Sequence, residues 1–162
     1  MVIIKSYRLR KDGSGKLHVI SYEISTCPVC GHALFVIGIR ERKYIKDDGI
    51  QEILVIRRLR CKDCLKIHHE LPGILAPYKR HSIDTIEKAI SGDVGDICCE
   101  ARTVQRIKAW WEGCRLYFES VLASLRAKYG DVFSLSPAPR EIIRAVANAH
   151  LWIHTRSAFL SG

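Results

Sequence analysis

Near the start of the chain Ile20, Tyr22 and Ile24 alternate with Ser21 and Glu23, the period of a half-buried strand. Strands are predicted over 2–9 and 17–24, joined by the glycine-rich turn Lys11-Asp12-Gly13-Ser14-Gly15. Apolar-rich runs over 34–45 and 50–59 predict a second pair. Between them lies Lys46-Asp47-Asp48-Gly49, whose Asp-Gly step favours the dihedrals of a tight hairpin. Both of these strands carry apolar residues on both faces, so the pattern leaves their register open.

After Leu71-Pro72-Gly73 the period changes. A linker with Tyr78, Lys79, Arg80 and His81 leads to a short predicted helix over 83–90, capped by Ser82 and stopped near Gly92. Residues 91–100 read as a connection. From Arg102 onward Val104, Ile107, Trp111, Cys114, Phe118, Val121 and Leu125 recur at alternating steps of three and four, an apolar seam on a long helix. Gly113 interrupts it at a cost of about 1 kcal/mol relative to alanine, which allows a bend. Gly130 is its expected terminator. Ser136-Pro137-Ala138-Pro139 then opens a helix from Arg140 to about Ile153, with proline in the first turn. The expected fold is α+β: a β-rich unit over 1–75, a linker over 76–81, and an all-α unit over 82–162.

The 162 residues carry 26 Lys and Arg against 17 Asp and Glu, and the excess is uneven. Residues 1–81 hold 16 basic and 8 acidic side chains, residues 82–162 hold 10 and 9. A basic half beside a nearly neutral one suggests a polyanion partner, nucleic acid first. No stretch reaches the roughly 18 consecutive apolar residues of a membrane span, so no membrane partner is expected. The first residues place charge after a short apolar run, unlike a signal peptide. The seven cysteines are therefore expected in a reducing, cytoplasmic setting, where thiols serve metals or cores.

Two Cys-x2-Cys pairs stand out, Cys27-Pro28-Val29-Cys30-Gly31 and Cys61-Lys62-Asp63-Cys64. Two residues between thiols let one tight turn aim both sulfurs at a tetrahedral ion. The intervening segment is a predicted hairpin, which returns the second pair beside the first: the zinc-ribbon arrangement. The expectation is one structural Zn(2+) per chain on Cys27, Cys30, Cys61 and Cys64. Such a closed thiolate site leaves no position for a substrate. Iron also suits four thiolates, and the Cys-Pro-x-Cys-Gly knuckle occurs in rubredoxins; the second knuckle has Leu65 in place of glycine, which favours zinc. His68 or His69 could replace one thiol, while His32 reads as a neighbour of the site or an exposed residue. Cys114 belongs to the apolar seam, and Cys98 and Cys99 are expected to be buried near the helix junction.

The start of the long helix offers Arg102, Thr103, Gln105, Arg106 and Lys108 outward while Val104, Ile107 and Trp111 face in, a composition suited to the major groove. Arg102, Arg106 and Trp110 fall at steps of four. A second basic group comprises Arg40, Arg42 and Lys43 on one ribbon strand with Arg57, Arg58 and Arg60 on its partner, able to track phosphates without reading sequence. Charged strands that discourage aggregation, and an ordinary solvated helix face, explain the same residues.

Cys27-Pro28-Val29-Cys30, Arg57-Arg58-Leu59-Arg60-Cys61-Lys62-Asp63-Cys64, His68-His69-Glu70-Leu71-Pro72, Pro77-Tyr78-Lys79-Arg80 and Arg102-Thr103-Val104-Gln105-Arg106 together resemble the zinc-ribbon and helix-turn-helix N-terminal region of bacterial insertion-sequence transposases. The chain is also similar to short bacterial proteins that carry this region as a domain of unknown function. Their ending resembles Asn148-Ala149-His150-Leu151-Trp152 and His154-Thr155-Arg156-Ser157-Ala158. The resemblance implies binding of double-stranded DNA, zinc ordering the ribbon, and contact through Thr103 to Lys108. Full transposases use separated Asp, Asp and Glu residues on two metal ions. Asp131 and Glu141 cannot form that set, and too few residues follow Tyr129 for the catalytic domain, so no enzymatic activity is expected. The alternative is a protein–protein interaction module. The seam over 104–125 could join two copies of the chain or pack on Ile142, Ile143 and Val146.

Overall fold

In a computed structural model the described residues are 1–130 and 137–153. Among them six strands precede three helices: β1 (Val2–Ile4), β2 (Tyr7–Lys11), β3 (Leu17–Ser21), β4 (Leu34–Ile45), β5 (Gln51–Cys61), β6 (Ile67–Pro72), α1 (Ile83–Ser91), α2 (Ala101–Tyr129) and α3 (Pro139–Asn148). The architecture is α+β. Strand order runs β1-β6-β5-β3-β2, with β4 on the other edge of β5.

The β4–β5 hairpin turns where the Asp-Gly step lies. Lys46 N donates to Ile50 O at 3.0 Å, and Gly49 takes a φ of +81°. Its antiparallel register pairs Ile45 with Gln51 and Leu34 with Cys61, with a bulge between Val36 and Gly38. This bulge explains why alternation gives no single register: the strand changes face part-way along.

The predicted strand over 2–9 is two strands. The amides of Lys5 and Ser6 both donate to Glu23 Oε1, at 2.6 and 2.5 Å, so neither joins a ladder and the chain turns there. β1 then pairs in parallel with β6, and β2 antiparallel with β3. β3 ends at Ser21, short of the predicted Ile24. β6, which the hydrophobic pattern does not announce, joins β5 antiparallel through Arg58–His69 and Arg60–Ile67.

α1 begins where the Ser82 side chain accepts from Thr85 N and ends at Gly92, whose φ of +88° closes the helix. α2 runs unbroken through Gly113. α3 has proline at its start, as its sequence predicts, but ends at Asn148 instead of Ile153. His150, with φ +60°, turns the chain away. Ser136, Asp131 and the segment His154 to Ala158 lie outside the described residues.

One cluster of buried side chains runs from Ile3, Ile4, Leu54 and Ile56 of the sheet to Ile86 of α1, Phe118 of α2 and Ile143 and Val146 of α3. On α2 the seam residues Ile107, Trp111, Cys114, Phe118 and Val121 are buried, and Val104 and Leu125 are half-buried against the same cluster. Trp110, Phe118 and Trp152 pack together with ring centroids 5.7–6.3 Å apart, Trp110 meeting Phe118 edge to face. The seam proposed as a contact between two copies is thus covered from within the chain, so a homodimer through Val104–Leu125 is not supported. Arg140 ties α3 to α1 through Asp84, at 2.7 Å, and Glu87, at 2.8 Å. Asn148 holds the backbone of Ile3 from both sides: Ile3 N donates to its Oδ1 at 2.7 Å and its Nδ2 donates to Ile3 O at 3.0 Å.

Candidate metal centre

The hairpin carries the two cysteine turns to one end of the sheet. Cys61 closes β5 directly opposite Leu34, and an isolated bridge between Thr26 and Ala33 pins the first turn at the foot of β4. Both turns have the same build. Cys27 N donates to His32 O at 2.8 Å and Cys61 N to Lys66 O at 3.0 Å. Four residues after the leading cysteine, each turn enters the left-handed region, at Gly31 (φ +78°) and at Leu65 (φ +57°). Glycine takes that conformation freely, whereas leucine pays roughly 1–2 kcal/mol for it. The second knuckle therefore has the geometry of the first despite lacking its glycine.

The Sγ atoms of Cys27, Cys30, Cys61 and Cys64 all lie within 4.8 Å of one another. Cys27–Cys64 and Cys30–Cys61 are each 3.5 Å apart. A tetrahedron with metal–sulfur bonds of about 2.3 Å has edges of roughly 3.8 Å, so the four sulfurs already mark the corners of such a site. Backbone N–H groups point at the sulfurs: His32 at Cys30, Asp63 and Cys64 at Cys61, and Lys66 at Cys64. At Cys61 burial opposes ionisation, but the two N–H groups and the neighbouring thiols outweigh it and bring the thiol down to about 7. Cys30 goes the other way. The His32 N–H favours its thiolate, yet burial and the crowding of three thiols push it up to about 12. Four thiolates in one small volume repel unless a cation joins them, and this donor set fits a divalent ion such as zinc.

His68 lies beside this cluster. It is buried in β6 with Nε2 3.5 Å from Cys27 Sγ. Burial first, then the positive N-terminus and His150, bring its imidazole down to about 4, so it is neutral at pH 7. With four sulfurs already convergent, no histidine is needed as a ligand. His69 faces the opposite side of β6, toward Arg58, and His32 is exposed with Nδ1 3.7 Å from Asp63. Cys114 is buried in the core, as its place on the seam predicts. Cys98 is exposed and Cys99 half-buried, which corrects the expectation that both are buried. Cys98 is drawn to the surface because its backbone N donates to Asp47 O at the hairpin tip, with Sγ packed against Gly49.

The basic residues separate into different roles. Arg57 forms two hydrogen bonds, at 2.6 and 2.7 Å, to the carboxylate of Glu70, which is 1% exposed and also accepts from Ser25. Arg58 stands half-buried opposite His69, and Arg60 is exposed beside Cys61. Arg102, Gln105 and Arg106 are exposed on the first turns of α2. Thr103 instead bonds the Cys99 thiol, and the Lys108 ammonium lies 3.9 Å from the position of a β-carbon on Gly92, at the C-terminal end of α1. A cation there complements the helix dipole. Trp110 is half-buried under the Lys79 ammonium, 3.8 Å from its ring centroid, so it does not share an open face with Arg102 and Arg106. Residues 92–100 between α1 and α2 exceed the three- or four-residue turn of a helix-turn-helix unit.

A family model described as a domain of unknown function (DUF6431) matches residues 27–107, half of the chain. The chain belongs to this family. The DUF6431 match begins on the first cysteine of the four-cysteine cluster, contains the other three, and ends two turns into α2 at Ile107. No curated protein and no solved structure gives a match. No described helix is long and apolar enough to cross a membrane.

Proposed function

We propose that the chain is a non-enzymatic DNA-binding unit, related to transposase N-terminal regions and ordered by one structural zinc ion held by Cys27, Cys30, Cys61 and Cys64. The ion would supply folding energy and no reactive position. One observation carries the DNA reading. On the helices Arg115 pairs with Glu112 and Glu119, and Arg140 with Asp84 and Glu87. Among the described residues Arg40 and Arg60 of the sheet and Arg102 and Arg106 of α2 are exposed and make no ion pair with a carboxylate. Uncompensated guanidiniums on an exposed surface are the footprint of a phosphate-bearing partner.

Fluorescence anisotropy against duplex and single-stranded oligonucleotides tests this reading. The full chain should bind duplex DNA with an affinity that falls steeply with salt. Replacing Arg102 and Arg106 by alanine should reduce the log–log salt slope by about 2, one per lost phosphate contact. Wild-type binding that is absent, or insensitive to salt, overturns the proposal.

A second reading, a protein-interaction module, draws on β4. This edge strand leaves Phe35, Val36, Ile37 and Ile39 38–63% exposed, an apolar rim able to receive another strand. Binding of a folded protein with unchanged affinity in high salt, and no binding to DNA, would favour it.

A further inference from the structure

Beside β4 lies a cleft of about 300 Å³ whose lining includes Arg40, Glu41, Arg42 and Lys43 from the strand and Lys79 and Arg80 from the segment before α1. The fold builds it deliberately close. Ile45 N donates to Arg80 O at 2.8 Å and Ser82 N returns a bond to Ile45 O at 2.8 Å, so the segment docks along the end of β4. Five cations are thereby brought to one concavity. The single carboxylate among these six residues, Glu41, is engaged by Lys16.

Arg42 is the fixed element of the group. Its Nη2 donates to the carbonyl oxygens of Lys79, at 2.8 Å, and Ala76, at 3.3 Å, while its Nε is buried without an acceptor. Burial, and then the charge of Arg40, makes its protonated form less favourable than usual. Lys79 is likewise held in place by its contact with the Trp110 ring. Folding alone gains little from packing these cations together with an orphaned N–H among them. An oxyanion would offset the mutual repulsion and present acceptors to forked donors.

We propose that this cleft seats a phosphate group of a nucleic-acid backbone, with Arg40, Arg42 and Arg80 around it and Lys43 and Lys79 supplying field. The assignment rests on the DNA reading above and places within it a phosphate contact built by β4 and the segment before α1, with no α2 residue in its lining. The same chemistry would accept free phosphate, and the experiment separates the two sources.

The test uses the full chain and two charge-matched variants. In Arg40→Gln/Arg80→Gln both altered side chains are exposed cleft residues; in Arg8→Gln/Arg10→Gln the changes lie on β2, away from the cleft. Duplex binding across a salt series should lose about 2 from its log–log slope in the first variant and keep the wild-type slope in the second. Equal behaviour of the two variants, with wild-type DNA binding intact, overturns the cleft and leaves the DNA reading standing. If the wild-type chain binds no DNA, that reading falls and titration with inorganic phosphate decides the cleft alone. Amide shifts confined to residues 40–43 and 78–80, and lost in Arg40→Gln/Arg80→Gln, uphold it as a site for free phosphate. A titration without shifts overturns it.

Discussion

Replacing Arg57 by methionine should unsettle the fold rather than the DNA contact. The substitution keeps most of the aliphatic stem and removes both hydrogen bonds to Glu70, leaving a carboxylate with 1% side-chain exposure and only Ser25 as a side-chain donor. Breaking a fully buried pair costs about 3–5 kcal/mol. Here Arg57 retains 31% side-chain exposure, so water reaches part of the site, and a loss of about 2–3 kcal/mol is expected. For a chain of this length that corresponds to a drop in Tm of roughly 5–10 °C. Urea unfolding followed by tryptophan fluorescence measures the loss. The double variant Arg57→Met/Glu70→Leu should recover most of it, because two apolar side chains leave no unpaired charge. Anisotropy on the folded single variant should give the wild-type duplex affinity. A stability change below about 0.5 kcal/mol, the usual range for a surface position, would refute the pairing argument, as would a double variant no more stable than the single one.

Asn148→Ala removes both side-chain bonds to Ile3 and should cost about 1–2 kcal/mol, with hydrogen exchange accelerating first at the Ile3 amide. Uniform acceleration across the sheet would show that Asn148 does not clamp β1 locally. Gly113→Ala lies in an unbroken helix, with nothing within 4 Å of the added β-carbon, and should raise stability by about 1 kcal/mol. A lower Tm would mean that the helix needs a bend there after all.

Local chemistry made several elements legible before the structure. Ser82 and Gly92 bound α1, Asp48-Gly49 turns the hairpin, Pro139 opens α3, and the three–four spacing from Val104 to Leu125 identifies the buried side of α2. Each signal lies within a few residues of what it controls. What escaped depends on distant partners. The break at Lys5 and Ser6 comes from Glu23, and β6 is a strand because β1 and β5 flank it. Its His-His-Glu run looks polar, yet His68 and Glu70 are buried where Cys27, Arg57 and Ser25 meet them.

The same division holds at the site. Paired cysteines around a hairpin announced their convergence, because spacing and topology are both local. Arg57 and Arg58 are adjacent in sequence and look equivalent, but alternation puts one on Glu70 and the other opposite His69. Lys108 follows Arg106 by two residues and resembles it in charge, although the Gly92 end of α1 gives it a different neighbour. Burial of the seam decided between an internal and an external partner, a choice that periodicity by itself leaves open.

Elemental analysis of the purified full chain, alongside Cys27→Ser and Cys61→Ser variants, tests the central claim most directly. One zinc per wild-type chain, lost in both variants together with cooperative unfolding, is the predicted result. A wild-type chain that holds no metal under reducing conditions and still unfolds cooperatively would contradict it.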